Sequence, residues 1–176
     1  MPDGIPMSMR NGLGAAKWYV LAAVVILLDQ YTKGLASESL PYAQPQRVFS
    51  WFDLTLHHNT GAAFSFLHDA GGWQRYFFSA VAGIISVVLV VWLYLLDTSQ
   101  RLLALSLALI LGGAIGNLWD RLVLGYVIDF ISVHYEQRYF PAFNIADSAI
   151  SVGAVLMLLD SFLHRDSDTS AESSQA

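Results

Sequence analysis

Apolar residues fall in four long blocks separated by short polar breaks. A bilayer core about 30 Å thick takes roughly 20 largely apolar residues per helix. The stretches 15–35, 74–96, 102–120 and 143–163 approach or meet that length. Tyr76 to Leu96 carries no charge at all. The first block holds Asp29 and Lys33 near its far end, and the fourth holds Asp147 near its start and Asp160 near its end. The pattern predicts four transmembrane helices. The first block is read as a retained helix and not a cleavable leader, because no small-x-small site follows its apolar part.

Two segments fit neither a span nor a simple turn. Residues 41–63 contain Val48-Phe49-Ser50-Trp51-Phe52-Asp53-Leu54-Thr55-Leu56, rich in β-formers and partly alternating, followed by the turn-like Asn59-Thr60-Gly61. Residues 122–135 are largely apolar and β-branched, yet too short to cross. A small β-sheet on the membrane surface accommodates both. The fold class is therefore an all-α polytopic membrane protein with a small surface sheet. Its single domain covers 1–164. The first dozen residues read as loose, and the Ser/Asp/Glu-rich stretch 165–176 as a disordered tail. Trp18, Trp73, Tyr76, Trp92, Tyr94, Trp119 and Tyr139 lie near predicted span ends, as an aromatic belt requires.

Composition sharpens this picture. Of 176 residues, 55% are hydrophobic and 13% charged, and mean hydropathy is +0.49. Nine Lys+Arg against fourteen Asp+Glu give a net charge of -5, which argues against nucleic acid as a partner. No cysteine is present, so disulfides, thiolate metal sites and a cysteine nucleophile are excluded.

Four alternating spans place positions 35, 74, 120 and 143 on one face of the membrane. Asp29, Lys33, Asn59, Asn117, Asp120, Arg121, Asp129, Asn144 and Asp147 all fall at that end. Ionisable groups at membrane depth cost a few kcal/mol each and mark function. Asp29 and Lys33 have the i,i+4 spacing of an ion pair. Asn117, Asp120 and Arg121 share one helix face, with an Asp–Arg pair as the plain structural reading. Gly112 and Gly116 form a small-xxx-small pattern for close helix contact. Asn144 and Asp147 read as a helix N-cap with its acidic partner. Asp129, inside Val127-Ile128-Asp129-Phe130-Ile131, has no sequence-local cation and must be paired, protonated or working. Asp53, Asp160, His57 and His58 read as surface or interfacial residues. His57, His58, His68, His134 and His164 lack zinc-protease spacing, and no Gly-x-Ser-x-Gly elbow occurs. No metal or cofactor is expected.

Two aspartates sharing a low-dielectric pocket share a proton, so that one can activate water while the other hydrogen-bonds a scissile carbonyl. Asp129 and Asp147 are the candidate pair.

These residues fall in five ordered blocks: Leu28-Asp29-Gln30-x-x-Lys33; Asn59-Thr60-Gly61-Ala62-Ala63-Phe64; Gly112-Gly113-x-x-Gly116-Asn117-x-x-Asp120-Arg121; Val127-Ile128-Asp129-Phe130; and Phe143-Asn144-Ile145-Ala146-Asp147-Ser148. In order and spacing they resemble the blocks of bacterial lipoprotein signal peptidase (signal peptidase II), from about Trp18 to Phe162. The resemblance implies an aspartyl endopeptidase of the bacterial inner membrane that cleaves prolipoproteins before the diacylglyceryl-modified lipobox cysteine. It places the catalytic pair on Asp129 and Asp147. Substrate-binding and supporting roles fall on Asp29, Lys33, Asn59, Asn117, Arg121 and Asn144, with structural support from Asp120, Gly112 and Gly116. It further implies a periplasmic polar face, cytoplasmic termini, a β-cradle around 41–63 and 122–135, and contact with membrane lipid. A loop including Trp51 would help to hold substrate or a globomycin-type inhibitor. Lys and Arg divide four to five between the faces, so charge alone does not set the orientation.

A small proton-coupled transporter is the alternative from another class. It fits less well, since the polar groups cluster at one end and no inverted repeat is evident. A membrane scaffold assembling partners through small-residue helix faces leaves Asp129 unexplained. A presenilin-type protease lacks its Gly-x-Gly-Asp.

Overall fold

The structure, a computed structural model, describes residues 7–61 and 73–173, with side-chain surroundings for 14–61 and 73–163. Ala62 to Phe64 of the second block, and His68, lie outside the described residues. Four helices carry the fold: α1 (Met7–Ser39), α2 (Trp73–Leu95), α3 (Arg101–Val123) and α4 (Ile145–Ser173). Each contains a segment long and apolar enough to cross a membrane, namely Gly14–Ser39, Trp73–Leu95, Arg101–Val123 and Ile145–Leu163. The four expected spans are all present.

Helix α3 is the centre of the bundle and packs against the other three. Its glycines make this possible. A Cβ at Gly112 would stand 2.7 Å from Val25 Cβ and 2.9 Å from the Ala22 carbonyl oxygen. One at Gly113 would collide with the Ala146 carbonyl oxygen, and one at Gly116 would stand 2.7 Å from Asp29 Oδ2. Lipid supplies little hydrophobic drive between helices, so this close backbone approach is what holds them. The apolar core of Ala22, Leu89, Leu93, Leu96, Ala104, Leu107 and Leu111 fills the end of the bundle away from the polar residues.

At the polar end lies an antiparallel sheet in the order β1 (Gln46–Phe49), β2 (Phe52–Asn59), β3 (Val127–Tyr135) and β4 (Arg138–Tyr139). Leu54 pairs with Ile131, but His57 pairs with Asp129, so β2 holds one residue more than β3 over this stretch. That bulge changes which side chains share a face. Without it Asn59 would point away from Asp129; with it, both lie on one side. Beyond β4 the chain returns to β3, where the Phe143 carbonyl accepts hydrogen bonds from the Phe130 and Ile131 amides at 3.0 and 2.9 Å. The start of α4 is thereby pinned beside Asp129.

Several expectations are corrected in detail. Residues 122–123 still belong to α3, whose basic last turn suits the negative helix end. The two-residue β4 is additional. Helix α1 begins at Met7 and α4 continues to Ser173, whereas these ends read as loose. A helix already nucleated extends one residue at a time at small cost. Asp53 and Asp160 are not surface residues, being 2% and 7% exposed. Asp53 sits across from His134, their side chains 3.4 Å apart, with Arg47 at 3.6 Å. The strand pairing that buries Asp53 cannot be read from its own neighbours in sequence. His57 and His58 are exposed, as expected.

Candidate active site

The buried polar cluster has two layers. The inner one is ionic. Lys33 Nζ lies 2.7 Å from Asp29 Oδ2 and 2.8 Å from Asp120 Oδ2, and all three side chains are almost wholly buried. The i,i+4 pair within α1 is as the spacing predicts. Asp120 pairs with Lys33 of α1, however, and not with its neighbour Arg121. Two carboxylates facing one ammonium need further donors in so dry a place. These come from the Ala146 amide to Asp29 Oδ1 at 2.9 Å, the Ile128 amide to Asp120 Oδ2 at 3.2 Å, and Gln30 Nε2 to Asp120 Oδ1 at 2.9 Å. The layer thus ties α1 to α3, to β3 and to the first turn of α4.

The outer layer consists of Asn117, Asn144, Asn59 and the two carboxylates Asp129 and Asp147. Lys33 Nζ donates to Asn117 Oδ1 at 3.0 Å, which turns the Asn117 amide nitrogen toward Asp147 Oδ1 at 2.7 Å. Asn144 caps α4: its Oδ1 accepts from the Asp147 amide at 2.9 Å, and its own amide donates to Asp147 Oδ2 at 3.3 Å. This is the reciprocal capping arrangement expected from their spacing. With its acceptor so engaged, Asn144 Nδ2 faces Asp129 Oδ1 at 2.8 Å, the Ile128 carbonyl at 3.1 Å and Asn117 Oδ1 at 3.1 Å. Asn59 Nδ2 reaches Asp129 Oδ2 at 2.9 Å, while Asn59 Oδ1 accepts from the Gly61 amide in an Asx turn.

Asp129 is 2% exposed. Burial, reinforced by the nearby charge of Asp147, pushes its carboxyl up to about 7, although Asn59, Asn144 and Lys33 all favour the ionised form. Asp147 is only half-buried and lines a cleft of about 290 Å³. The cleft lies between α2 (Phe78, Val81, Ala82, Ile85) and α3 with α4 (Ile110, Ala114, Asn117, Arg121, Ile150). No Cα of α2 comes within 8 Å of one of α4 among the described residues, so a largely apolar cleft separates them, with Asp147 in its wall. Arg121 stands at its mouth, its guanidinium 5.8 Å from the Phe78 ring centre and its Nη1 donating to the Asn117 carbonyl at 3.1 Å. Among the described residues no group of three or more His, Asp or Glu side chains is disposed to hold a metal ion.

Asp29, Lys33, Asn59, Asn117, Asp120, Arg121, Asp129, Asn144 and Asp147 are brought together here with Gly116 beside Asp29, whereas Gly112 packs against Val25 and Ala22. Gln30 and the cleft-lining Phe78 and Ile150 were not singled out. Gln30 adjoins Asp29 and was legible as part of that motif, whereas apolar side chains on a span give no signal that distinguishes cleft from lipid.

Four helices of membrane-crossing length with a buried polar cluster beside an apolar cleft are the frame of a membrane protein, and the family match makes it a peptidase of the aspartic type. The sequence profile described as Signal peptidase (SPase) II matches residues 21–163, and the chain belongs to that family. It is 56% identical over 155 residues to a lipoprotein signal peptidase of Teredinibacter turnerae, covering 88% of this chain and 92% of the relative. With the one from Ectopseudomonas mendocina it shares 50% identity over 170 residues, 96% of this chain and 98% of the relative. A solved bacterial membrane enzyme, determined in meso at 1.9 Å resolution, superposes with a TM-score of 0.72 at 29% identity, over 82% of this chain and 91% of its own.

Proposed function

We propose that this enzyme removes signal peptides from prolipoproteins by hydrolysing the bond before the diacylglyceryl-modified cysteine, with Asp129 and Asp147 as the catalytic pair. The observation that carries the reading is the bridge made by Asn144, which donates to one carboxylate through its side chain and to the other through its backbone. Asp129, buried and raised to about 7, holds the resting proton. Asp147, reached from the cleft, is the ionised partner.

In this mechanism Asp147 takes a proton from a water molecule as its oxygen attacks the scissile carbonyl carbon. Asp129 gives its proton to the carbonyl oxygen, so the tetrahedral intermediate forms as a neutral gem-diol. Collapse breaks the C–N bond. Asp147 passes its proton to the leaving nitrogen, and Asp129 recovers one from the diol hydroxyl. Asn59 and Asn144 hold Asp129, and Asn117 holds Asp147. The Asp29–Lys33–Asp120 layer fixes these supports without touching substrate.

The apolar signal peptide lies in the trough between α2 and α4, with the lipid-bearing cysteine at the membrane surface. Trp51, exposed on the β1–β2 turn and stacked on Phe49 at 5.9 Å, is placed to close over substrate or a globomycin-type inhibitor. The sheet then faces the periplasm, both termini face the cytoplasm, and the host is the inner membrane.

The test is cleavage of a diacylglyceryl-modified prolipoprotein by the purified protein in detergent, beside Asp129→Asn and Asp147→Asn, with folding followed by thermal melt. Activity lost in both folded variants supports the pair. Activity retained in either one removes that residue from it.

A further inference from the structure

Arg75 is a basic residue in the first turn of a helix, where a positive charge meets the positive end of the helix dipole. Its guanidinium lies 5.9 Å from the ring centre of Tyr76 on its own helix and reaches across to α3. Nε donates to the Arg121 carbonyl at 2.7 Å and Nη2 to the Leu122 carbonyl at 2.6 Å. These are C-terminal carbonyls of α3. Two amides that might have served them, those of Leu124 and Gly125, both turn back to the Asp120 carbonyl at 2.7 and 3.2 Å. Arg75 therefore caps a helix it does not belong to. Gly125 makes room for it: with φ at 89°, its position favours glycine, and a Cβ there would stand 3.1 Å from Arg75 Nη1.

The location of this cap gives it a consequence. The fully buried residues of α2 are Gln74, Ser86, Leu89 and Leu93. From Arg75 to Ile85 none is fully buried. That stretch includes the cleft wall formed by Phe78, Val81, Ala82 and Ile85, whose backbone makes no close approach to α4 among the described residues. The near end of the wall is fixed to α3 by the two Arg75 hydrogen bonds and by the approach of Arg121 to Phe78.

The geometry points to Arg75 as a positioning residue that sets the width of the cleft between α2 and α4, and so governs capture of the apolar substrate segment and not the chemistry at Asp129 and Asp147. This deepens the peptidase reading and rests on it. Lysine at this position keeps the charge and its donors but loses the rigid planar fork that spans both carbonyls, whereas alanine offers no donor.

The absence of cysteine from the chain permits a direct measurement. Nitroxide labels on Ile84→Cys and Val152→Cys, both exposed, report the α2–α4 distance by pulsed EPR without substrate. Arg75→Ala is expected to shift and broaden that distance toward longer values, with Arg75→Lys closer to the parent. An unchanged distribution in Arg75→Ala overturns the proposal. In the cleavage assay, Arg75→Ala is expected to raise KM about tenfold and leave kcat within about a factor of two, with Arg75→Lys intermediate. Loss of kcat at unchanged KM overturns it equally. If Arg75→Ala does not fold, Arg75→Gln, which keeps one donor, is read in its place. A parent that cleaves no prolipoprotein counts against the peptidase reading, and the distance measurement still decides the role of Arg75.

Discussion

The Asp29 carboxylate occupies the space that a side chain at Gly116 would need: a Cβ there would stand 2.7 Å from Asp29 Oδ2. The same oxygen is the one paired with Lys33. A glycine that reads as ordinary helix contact therefore also shapes the buried ionic layer. Gly116→Ala is expected to push Asp29 from both Lys33 and the Ala146 amide and to destabilise the protein by about 2 kcal/mol or more. A detergent thermal melt beside Gly34→Ala, where nothing lies within 4 Å, checks this. Equal melting of the two variants would count against it.

Lys33 neutralises two carboxylates that have no other cation within salt-bridge distance among the described residues. Lys33→Met leaves both buried without their cation and is expected to cost about 3–5 kcal/mol. Adding Asp29→Asn and Asp120→Asn should recover part of the loss. Chemical unfolding of the single and triple variants measures it, and no recovery would show that the charges are not the cause.

Asn144 joins the strand carboxylate to the helix carboxylate. Asn144→Ala removes the α4 cap, at about 1 kcal/mol, together with the donor to Asp129. Activity is expected to fall about 10²- to 10³-fold. Asn144→Ser keeps a capping oxygen but not the Asp129 donor, so it should regain stability without regaining activity. Parallel melts and initial rates separate the two effects.

The Asp129 carboxyl is raised from 3.8 to about 7 by burial, so between these values the folded state binds more protons than the unfolded one. Stability then falls as pH rises through this window, by up to about 4 kcal/mol, and levels off above it. The melting temperature is expected to be higher at pH 5 than at pH 8, with the Asp129 contribution to that difference gone in Asp129→Asn. The proposed mechanism adds a loss of kcat above about pH 7, as Asp129 gives up its proton. An unaltered pH dependence of melting in Asp129→Asn would refute the assignment.

What the sequence made legible follows the range over which each signal acts. The spans were readable because hydropathy accumulates over about 20 neighbouring residues. The Asp29–Lys33 pair and the Asn144–Asp147 cap were readable because their partners lie within one helical turn. Lys33 with Asp120 was not, since that pair exists only once α1 meets α3. Asp53 looked like a surface residue because the strand that buries it arrives some 80 positions later, through Ser132 and His134. Arg75 gave no signal, because a basic residue at a helix start looks like solvent-facing charge until the carbonyls it serves are located. The β2 bulge was equally hidden: the alternation around Leu54 is only partial, and nothing local marks the extra residue.

The bridge through Asn144 has one more consequence. Asp129 lies on β3, between the third and fourth helices of the chain, and Asp147 in the first turn of the fourth. Asn59 can hold Asp129 from β2 alone, but the two carboxylates are brought together only once that helix has docked its cap on β3. On the proposed assignment, a copy whose fourth helix has not docked therefore has no assembled catalytic pair. The proposed chemistry would then be latent through biogenesis, with activity a report that the fourth helix has docked.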